Sequence, residues 1–211
     1  MSQVDFAAMR AAMVASQLRT SDVNDTAVIA AMSRVPREDY VPAERRETAY
    51  VDRPIPLGNG RSLNPPLATG RLLTVAEIAA GDKVLLLNDA TGYAAALLDA
   101  MGAVVTVVDE GDRPAGAPGA ISWVKGRAGD GHAAGAPYDV ILIDGAVEDI
   151  SDPLKAQLVD GGRIAAGLTE RGVTRLVSGR KVGDAVGFLN LADMEMASAA
   201  GFEARPREFV F

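Results

Sequence analysis

The chain has 211 residues, of which 48% are apolar, and a formal charge of −7. That is enough apolar content for one domain with a full core, and the acidic balance argues against a nucleic-acid backbone as partner. There is no cysteine and one histidine, His132, which excludes disulfides, thiolate metal sites and multi-histidine metal sites.

No uncharged apolar run approaches membrane-spanning length, so no membrane partner is expected. Asp5 and Arg10 fall inside an amphipathic N-terminal pattern rather than a secretory leader's apolar core, and a cytoplasmic location is the expectation. Phe6, Met9 and Met13, widened by Val14 and Leu18, predict a first helix. The Asn24-Asp25 cap signal opens a second, with Val28, Met32 and Val35 on one face and Pro36 ending it. Pro42 suits the first turn of a short third helix through Glu47. Asp52 to Pro66, rich in Pro and Gly, reads as an irregular loop, and Leu67 to Ala80 as a helix stopped by Gly81-Asp82.

From Lys83 the pattern changes. Short, non-alternating apolar runs at 84–87, 103–108, 121–124, 140–143 and 164–168 are what strands buried on both faces look like. Helices are expected over Tyr93–Met101 and Pro153–Val159, the latter closed by Gly161-Gly162. Strand–helix–strand alternation predicts a doubly wound α/β fold with a mostly parallel sheet. The linker from Glu110 to Ala120, with two prolines and three glycines, cannot sustain a helix and is expected to be an irregular loop. Val173–Val177, Gly187–Leu191 and Arg207–Phe211 read as extended, an antiparallel C-terminal edge, with Phe209 and Phe211 on one face. The expected layout is one domain over residues 1–211. It has N-terminal helices and a loop to residue 66, a parallel core over 67–168 and edge strands over 169–211.

The segment Leu85-Leu86-Leu87-Asn88-Asp89-Ala90-Thr91-Gly92-Tyr93 places a strand, a turn and a helix start where an open α/β sheet holds a nucleotide-type cofactor. Asn88 adopts a left-handed conformation at modest cost, whereas a methyl at Ala90 crowds a close backbone approach. Asp89 or Thr91 is expected to cap the helix. Asp109 ends the next strand at the edge where ligands sit in this topology.

Several blocks carry a family resemblance. Met13-Val14-Ala15-Ser16-Gln17-Leu18-Arg19, Ala31 through Pro42, and Ala49-Tyr50-Val51-Asp52-Arg53-Pro54-Ile55-Pro56-Leu57-Gly58 follow one another in order and spacing. So do Pro137-Tyr138-Asp139-Val140-Ile141-Leu142-Ile143 and Gln157 through Ile164. Together they resemble protein-L-isoaspartate O-methyltransferases over nearly the whole chain, most weakly after Leu168. The resemblance implies S-adenosylmethionine (SAM) as cofactor and methyl transfer to the carboxyl of an isoaspartyl residue in a protein or peptide. It also implies a seven-stranded, mostly parallel sheet of the class I methyltransferase type with extra N-terminal helices.

Site residues carry over poorly, and the cofactor motif is eroded. The family's loop reads roughly Gly-Gln-Thr-Ile-Ser-Gln-Pro, its Ser tied to catalysis. The matching run is Gly60-Arg61-Ser62-Leu63-Asn64-Pro65-Pro66, which makes Asn64 the catalytic candidate and Ser62 the nearby hydroxyl. The cofactor loop normally reads like Glu-Ile-Gly-Thr-Gly-Ser-Gly-Tyr. Here Leu86 replaces the acid, Asn88 and Ala90 replace glycines, and Gly92 and Tyr93 match. Cofactor-binding candidates are therefore Asn88, Asp89, Ala90, Gly92, Asp109 and Arg127. Asp109 keeps the acid that holds ribose hydroxyls, worth roughly 1.5–3 kcal/mol for each charge-assisted bond. The later Gly-Asp-Gly aligns with Gly126-Arg127-Ala128. A register using Gly129-Asp130-Gly131 shortens the following loop. Arginine brings only donors to an adenine amine that needs an acceptor.

Asp89, Asp109 and Asp144 each follow a predicted strand, and neighbouring strands lie about 4.8 Å apart. A crevice of converging carboxylates, with Arg127 as partner, would suit Mg²⁺ or a cationic ligand; three solvated acids is the simpler reading. His132 reads as structural or solvated and Trp123 as core. Three functions stay open: a methyltransferase acting on isoaspartyl carboxylates, a relative serving as a binding or regulatory module without methyl transfer, and a methyltransferase with a changed substrate.

Overall fold

The structure, a computed structural model, describes residues 4–58 and 60–202. The expected strand over Arg207–Phe211, with Phe209 and Phe211, lies outside them.

Helix α1 (Phe6–Met13) starts at Asp5, whose carboxylate accepts from the Ala8 amide, and runs on through a wider turn over Val14–Leu18. Helix α2 (Thr26–Arg34) is capped by Asp25, which accepts from the Ala27 and Val28 amides. Met13, Leu18, Val28 and Met32 are buried, as the periodicity requires. Pro42 precedes a short 3-10 helix over Ala43–Thr48 rather than sitting in its first turn.

The loop expected over Asp52–Pro66 holds an element. Strands β1 (Ile55–Gly58) and β2 (Arg61–Leu63) pair antiparallel, Ile55 opposite Leu63. Both of those side chains are buried, so two apolar anchors at the open end hold a hairpin that composition hides. Helix α3 (Pro66–Ala76) stops four residues before the expected Ala80, because Glu77 turns left-handed with φ 51°.

The main sheet contains β3 (Lys83–Leu87), β4 (Val104–Asp109), β5 (Ser122–Lys125), β6 (Tyr138–Val147), β7 (Leu158–Glu170), β8 (Val173–Val182) and β9 (Ala185–Asp193). Its order is β5-β4-β3-β6-β7-β8-β9. The first five in that order run parallel, and β8 and β9 continue antiparallel. This is the expected seven-stranded doubly wound sheet with its antiparallel edge.

Strand β3 shows why the apolar runs do not alternate. Val84 and Leu86 enter one core layer, and Leu85 and Leu87 enter the other. Each buried Leu contributes about 1.5–3 kcal/mol. The burial of Leu86 needs no ligand to explain it.

Helix α4 (Tyr93–Ala100) fills the first crossover as expected. Between β4 and β5 the chain makes only turns, with Ala117 donating to the Pro114 carbonyl and Ile121 to that of Pro118. Arg113 braces this loop by donating to the Ile121 and Pro118 carbonyls. Strand β5 is correspondingly poorly covered, and Trp123 is only partly buried.

The helix expected over Pro153–Val159 is a single turn, α5 (Asp152–Lys155). Leu158 already pairs with Tyr138, and Gly161-Gly162 lie inside β7 where the register slips. The double glycine is a bulge in a strand, not a helix stop. At Gly162 an added Cβ would meet the Val159 carbonyl at 2.9 Å. Among the described residues no helix is long and apolar enough to cross a membrane.

Candidate active site

Strands β4, β3 and β6 are neighbours, so Asp109 at the end of β4, Asp89 just after β3 and Asp144 within β6 come to one edge, as the resembled fold implies. Each of the three finds a different partner.

Asp89 turns back onto α4. One carboxylate oxygen accepts from the Gly92 amide and the other from the Ala95 amide, both at 2.9 Å, and the Thr91 hydroxyl accepts from the Tyr93 amide. This is the expected cap, and it directs the Asp89 carboxylate into the protein. Burial, reinforced by the nearby charge of Asp144, raises its pKa to about 7 despite the amides that favour the ionised form.

Asp144 accepts from the Asn64 amide at 2.7 Å, and Asn64 in turn accepts from the Ala197 amide at 2.8 Å. Burial raises the Asp144 pKa, while Asn64 and the Arg37 charge oppose the shift. Asn64 is 1% exposed. The catalytic candidate thus sits between β6 and the C-terminal segment. Ser62, one position before Leu63 on β2, is half-buried opposite Pro56.

Asp109 binds Arg61. The two guanidinium nitrogens donate to the two carboxylate oxygens at 2.7 and 2.5 Å, and the Gly111 amide donates to one of them at 2.7 Å. Asp109 is 2% exposed. Arg61, raised in pKa chiefly by its bond to Asp109, also donates to the Asn88 side chain at 2.9 Å.

Asn88 has φ 65°, the left-handed geometry anticipated for a residue in a glycine position. Its side chain accepts from Arg61 and from the Ala200 amide, and donates to the Asp144 carbonyl. Ala90 is half-buried and lies outside the left-handed region. Gly92 has φ 82°, and a Cβ there would lie 3.1 Å from Ala117 of the 110–121 loop. That loop therefore closes over the start of α4.

Beyond β5, Arg127 is exposed and precedes the 3-10 turn Ala128–Asp130. The Gly129 amide donates to the Gly201 carbonyl, so the C-terminal segment lies along this rim too. Arg61, which the expectation did not name, is the cation on Asp109. Among the described residues no three ligating side chains group to hold a metal ion, because the acids are divided among a guanidinium, an amide side chain and a helix start.

A second cation went unrecognised in the sequence. Arg37 is fully buried, donates to the Ala49 and Asn64 carbonyls, and stacks over the Tyr93 ring at 4.9 Å. Its charge faces Asp144, and burial lowers its pKa. The signal for both arginines was the need to balance three strand-end acids. Arg37 and Arg61 both lie within stretches that carry the family resemblance.

A sequence model described as "Protein-L-isoaspartate(D-aspartate) O-methyltransferase (PCMT)" matches residues 9–193. A Koribacter versatilis protein-L-isoaspartate O-methyltransferase is 38% identical over 168 residues, 75% of this chain and 76% of that protein. A Rhodopseudomonas palustris protein-L-isoaspartate O-methyltransferase 1 is 34% identical over 209 residues, covering 94% and 85%. Among solved structures, a protein-L-isoaspartate O-methyltransferase superposes with TM-score 0.77 at 19% identity, over 91% of this chain and 66% of that one. A Plasmodium falciparum chain assigned to the same activity, in complex with S-adenosyl-L-homocysteine (SAH), gives 0.74 at 14% identity, over 95% and 100%. The two structures share the fold.

Proposed function

The chain belongs to the protein-L-isoaspartate(D-aspartate) O-methyltransferase family, and on that premise we propose that it methylates isoaspartyl carboxylates in proteins or peptides with SAM as donor. One observation carries the reading to these residues: a buried carboxylate, Asp109, at the carboxyl end of β4 beside the left-handed turn at Asn88. An acid so placed suits vicinal hydroxyls, and the turn suits a close backbone approach. The residues fit an S-adenosyl group in kind.

When bound, the sulfonium supplies an electrophilic methyl, and its transfer to a carboxylate needs alignment rather than a strong acid or base. In this reading Asp109 holds the ribose hydroxyls. The turn from Asn88 through Ala90 to Gly92 borders the same ligand. The strip at Arg127 borders the adenine. Asp89 acts indirectly, by fixing the start of α4. Asn64 faces the acceptor side with Ser62 close by, and its tie to Asp144 fixes the amide in one orientation. The relatives lend no support to a module without methyl transfer or to a changed acceptor.

The test is methyl transfer from labelled SAM to an isoaspartyl peptide, with the aspartyl peptide as control. A base-labile ester on the first alone supports the reading. No ester on either peptide at saturating donor overturns it.

A further inference from the structure

Arg61 stands where the resembled motif carries glutamine, and the hairpin brings it onto the acid that the proposed reading gives to the ribose. Its guanidinium covers both carboxylate oxygens of Asp109 and leaves one of them shared with the Gly111 amide. The geometry is a planar fork on a carboxylate, the strongest arrangement open to a side-chain ion pair. The Arg61 side chain is 18% exposed and that of Asp109 2%, so solvent screens the pair little.

The same guanidinium reaches Asn88, which also holds the Ala200 amide. One cation thereby ties together the end of β4, the turn after β3 and, through Asn88, the C-terminal segment. An added Cβ at Gly111 would stand 3.0 Å from Asp109 and 3.5 Å from Arg61, so backbone packs closely around the pair.

Two ribose hydroxyls and this guanidinium need the same two oxygens. We propose that Arg61 is an internal competitor for Asp109 and thereby sets the affinity for S-adenosyl ligands. The inference rests on the SAM-dependent reading above. Binding requires the β1–β2 hairpin to release the acid, and β2 leads directly into Asn64. Occupation of the ribose subsite is thus coupled to the strand that positions the acceptor-side amide. Glutamine at position 61 is uncharged and cannot fork onto a carboxylate, so it leaves Asp109 free for hydroxyl donors.

The test is calorimetric titration of the full chain with SAH, comparing the native protein with Arg61→Gln and Arg61→Lys. Arg61→Gln is expected to bind at least tenfold tighter. Arg61→Lys, with a point charge and no fork, is expected to fall between. Hydrogen exchange of the native protein supplies a second measurement that needs no variant. Saturating SAH is expected to speed exchange of the Arg61–Leu63 amides while slowing those of β3 and β4. Equal affinities for the native protein and Arg61→Gln, or unchanged exchange in the hairpin, overturn the competition and leave the methyltransferase reading intact. Weaker binding by Arg61→Gln also overturns it, because Arg61 would then grip the ligand. No binding by either protein at millimolar SAH overturns both the competition and the reading it rests on.

Discussion

Asn64 and Asp144, 80 positions apart in the chain, share a hydrogen bond of 2.7 Å in which the amide donates and the carboxylate accepts. Asn64 answers on its other side by accepting from the Ala197 amide. Removing it orphans a buried carboxylate and a buried N–H together. Asn64→Ala is expected to lower stability by about 2–4 kcal/mol, read from the urea midpoint. Asn64→Ser, the residue of the resembled motif, cannot span both partners and is expected to cost about half as much. A double-mutant cycle with Asp144→Asn is expected to return a coupling above about 1 kcal/mol. Additive losses would show that the bond contributes nothing.

Asp89 predicts a pH dependence. Its pKa is raised from the ordinary 3.8 to about 7 in the folded protein. Between those two values the folded state keeps a proton that the unfolded chain has lost. The stability this contributes is complete below about pH 4 and is lost as pH rises to about 7. Asp89→Asn cannot titrate, so the stability of the native protein relative to this variant is expected to fall across that window by a few kcal/mol, on the order of 1.4 per pKa unit. Denaturant midpoints of both proteins at several pH values check the slope. A parallel pair of curves would contradict it.

Arg37 donates from separate nitrogens to the Ala49 and Asn64 carbonyls while lying over Tyr93. An ammonium keeps the charge but cannot reach both carbonyls in the plane of the stack. Arg37→Lys is expected to destabilise by about 2–3 kcal/mol and to reduce methyl transfer, because the Asn64 backbone loses its donor. Thermal melts separate the two effects from simple unfolding. Native-like stability in the lysine protein would reduce Arg37 to a charge.

Asn88→Gly restores the glycine of the resembled motif. It relieves a left-handed strain of about 1–2 kcal/mol and gives up the side-chain bonds to Arg61, the Ala200 amide and the Asp144 carbonyl. The expected net effect is a loss of about 1–2 kcal/mol by chemical denaturation. A gain would mean that the turn, not the bonds, dominates.

The apolar runs at 84–87 and 140–143 were legible because burial on both faces leaves no room for polar residues. Asp25 and Asp89 were legible because caps act locally. The β1–β2 hairpin was not, since Pro and Gly mask a pairing anchored by the buried Ile55 and Leu63. The Gly161-Gly162 bulge was read as a helix stop because local chemistry suits both uses, and only the neighbouring β6 decides between them. In the site, the pairings were not legible. Arg61 lies 48 positions from Asp109, and no local rule links a hairpin cation to a strand-end acid at that distance. Arg127, named because Gly126-Arg127-Ala128 aligns with the Gly-Asp-Gly of the resembled family, is exposed just after β5.

The helix-free link between β4 and β5 leaves the sheet unequal across its width. Strand β5 has four residues, most of them reached by solvent, and Val104 at the start of β4 is 60% exposed. Strands β3 and β6, buried on both faces, sit at the centre. Such a gradient makes local unfolding begin at one margin. Amide protons of Ser122–Lys125 should exchange by a sub-global opening well below the free energy that governs Val84–Leu87. The flank that the proposed reading gives to the adenine would then fluctuate while the middle of the molecule stays shut.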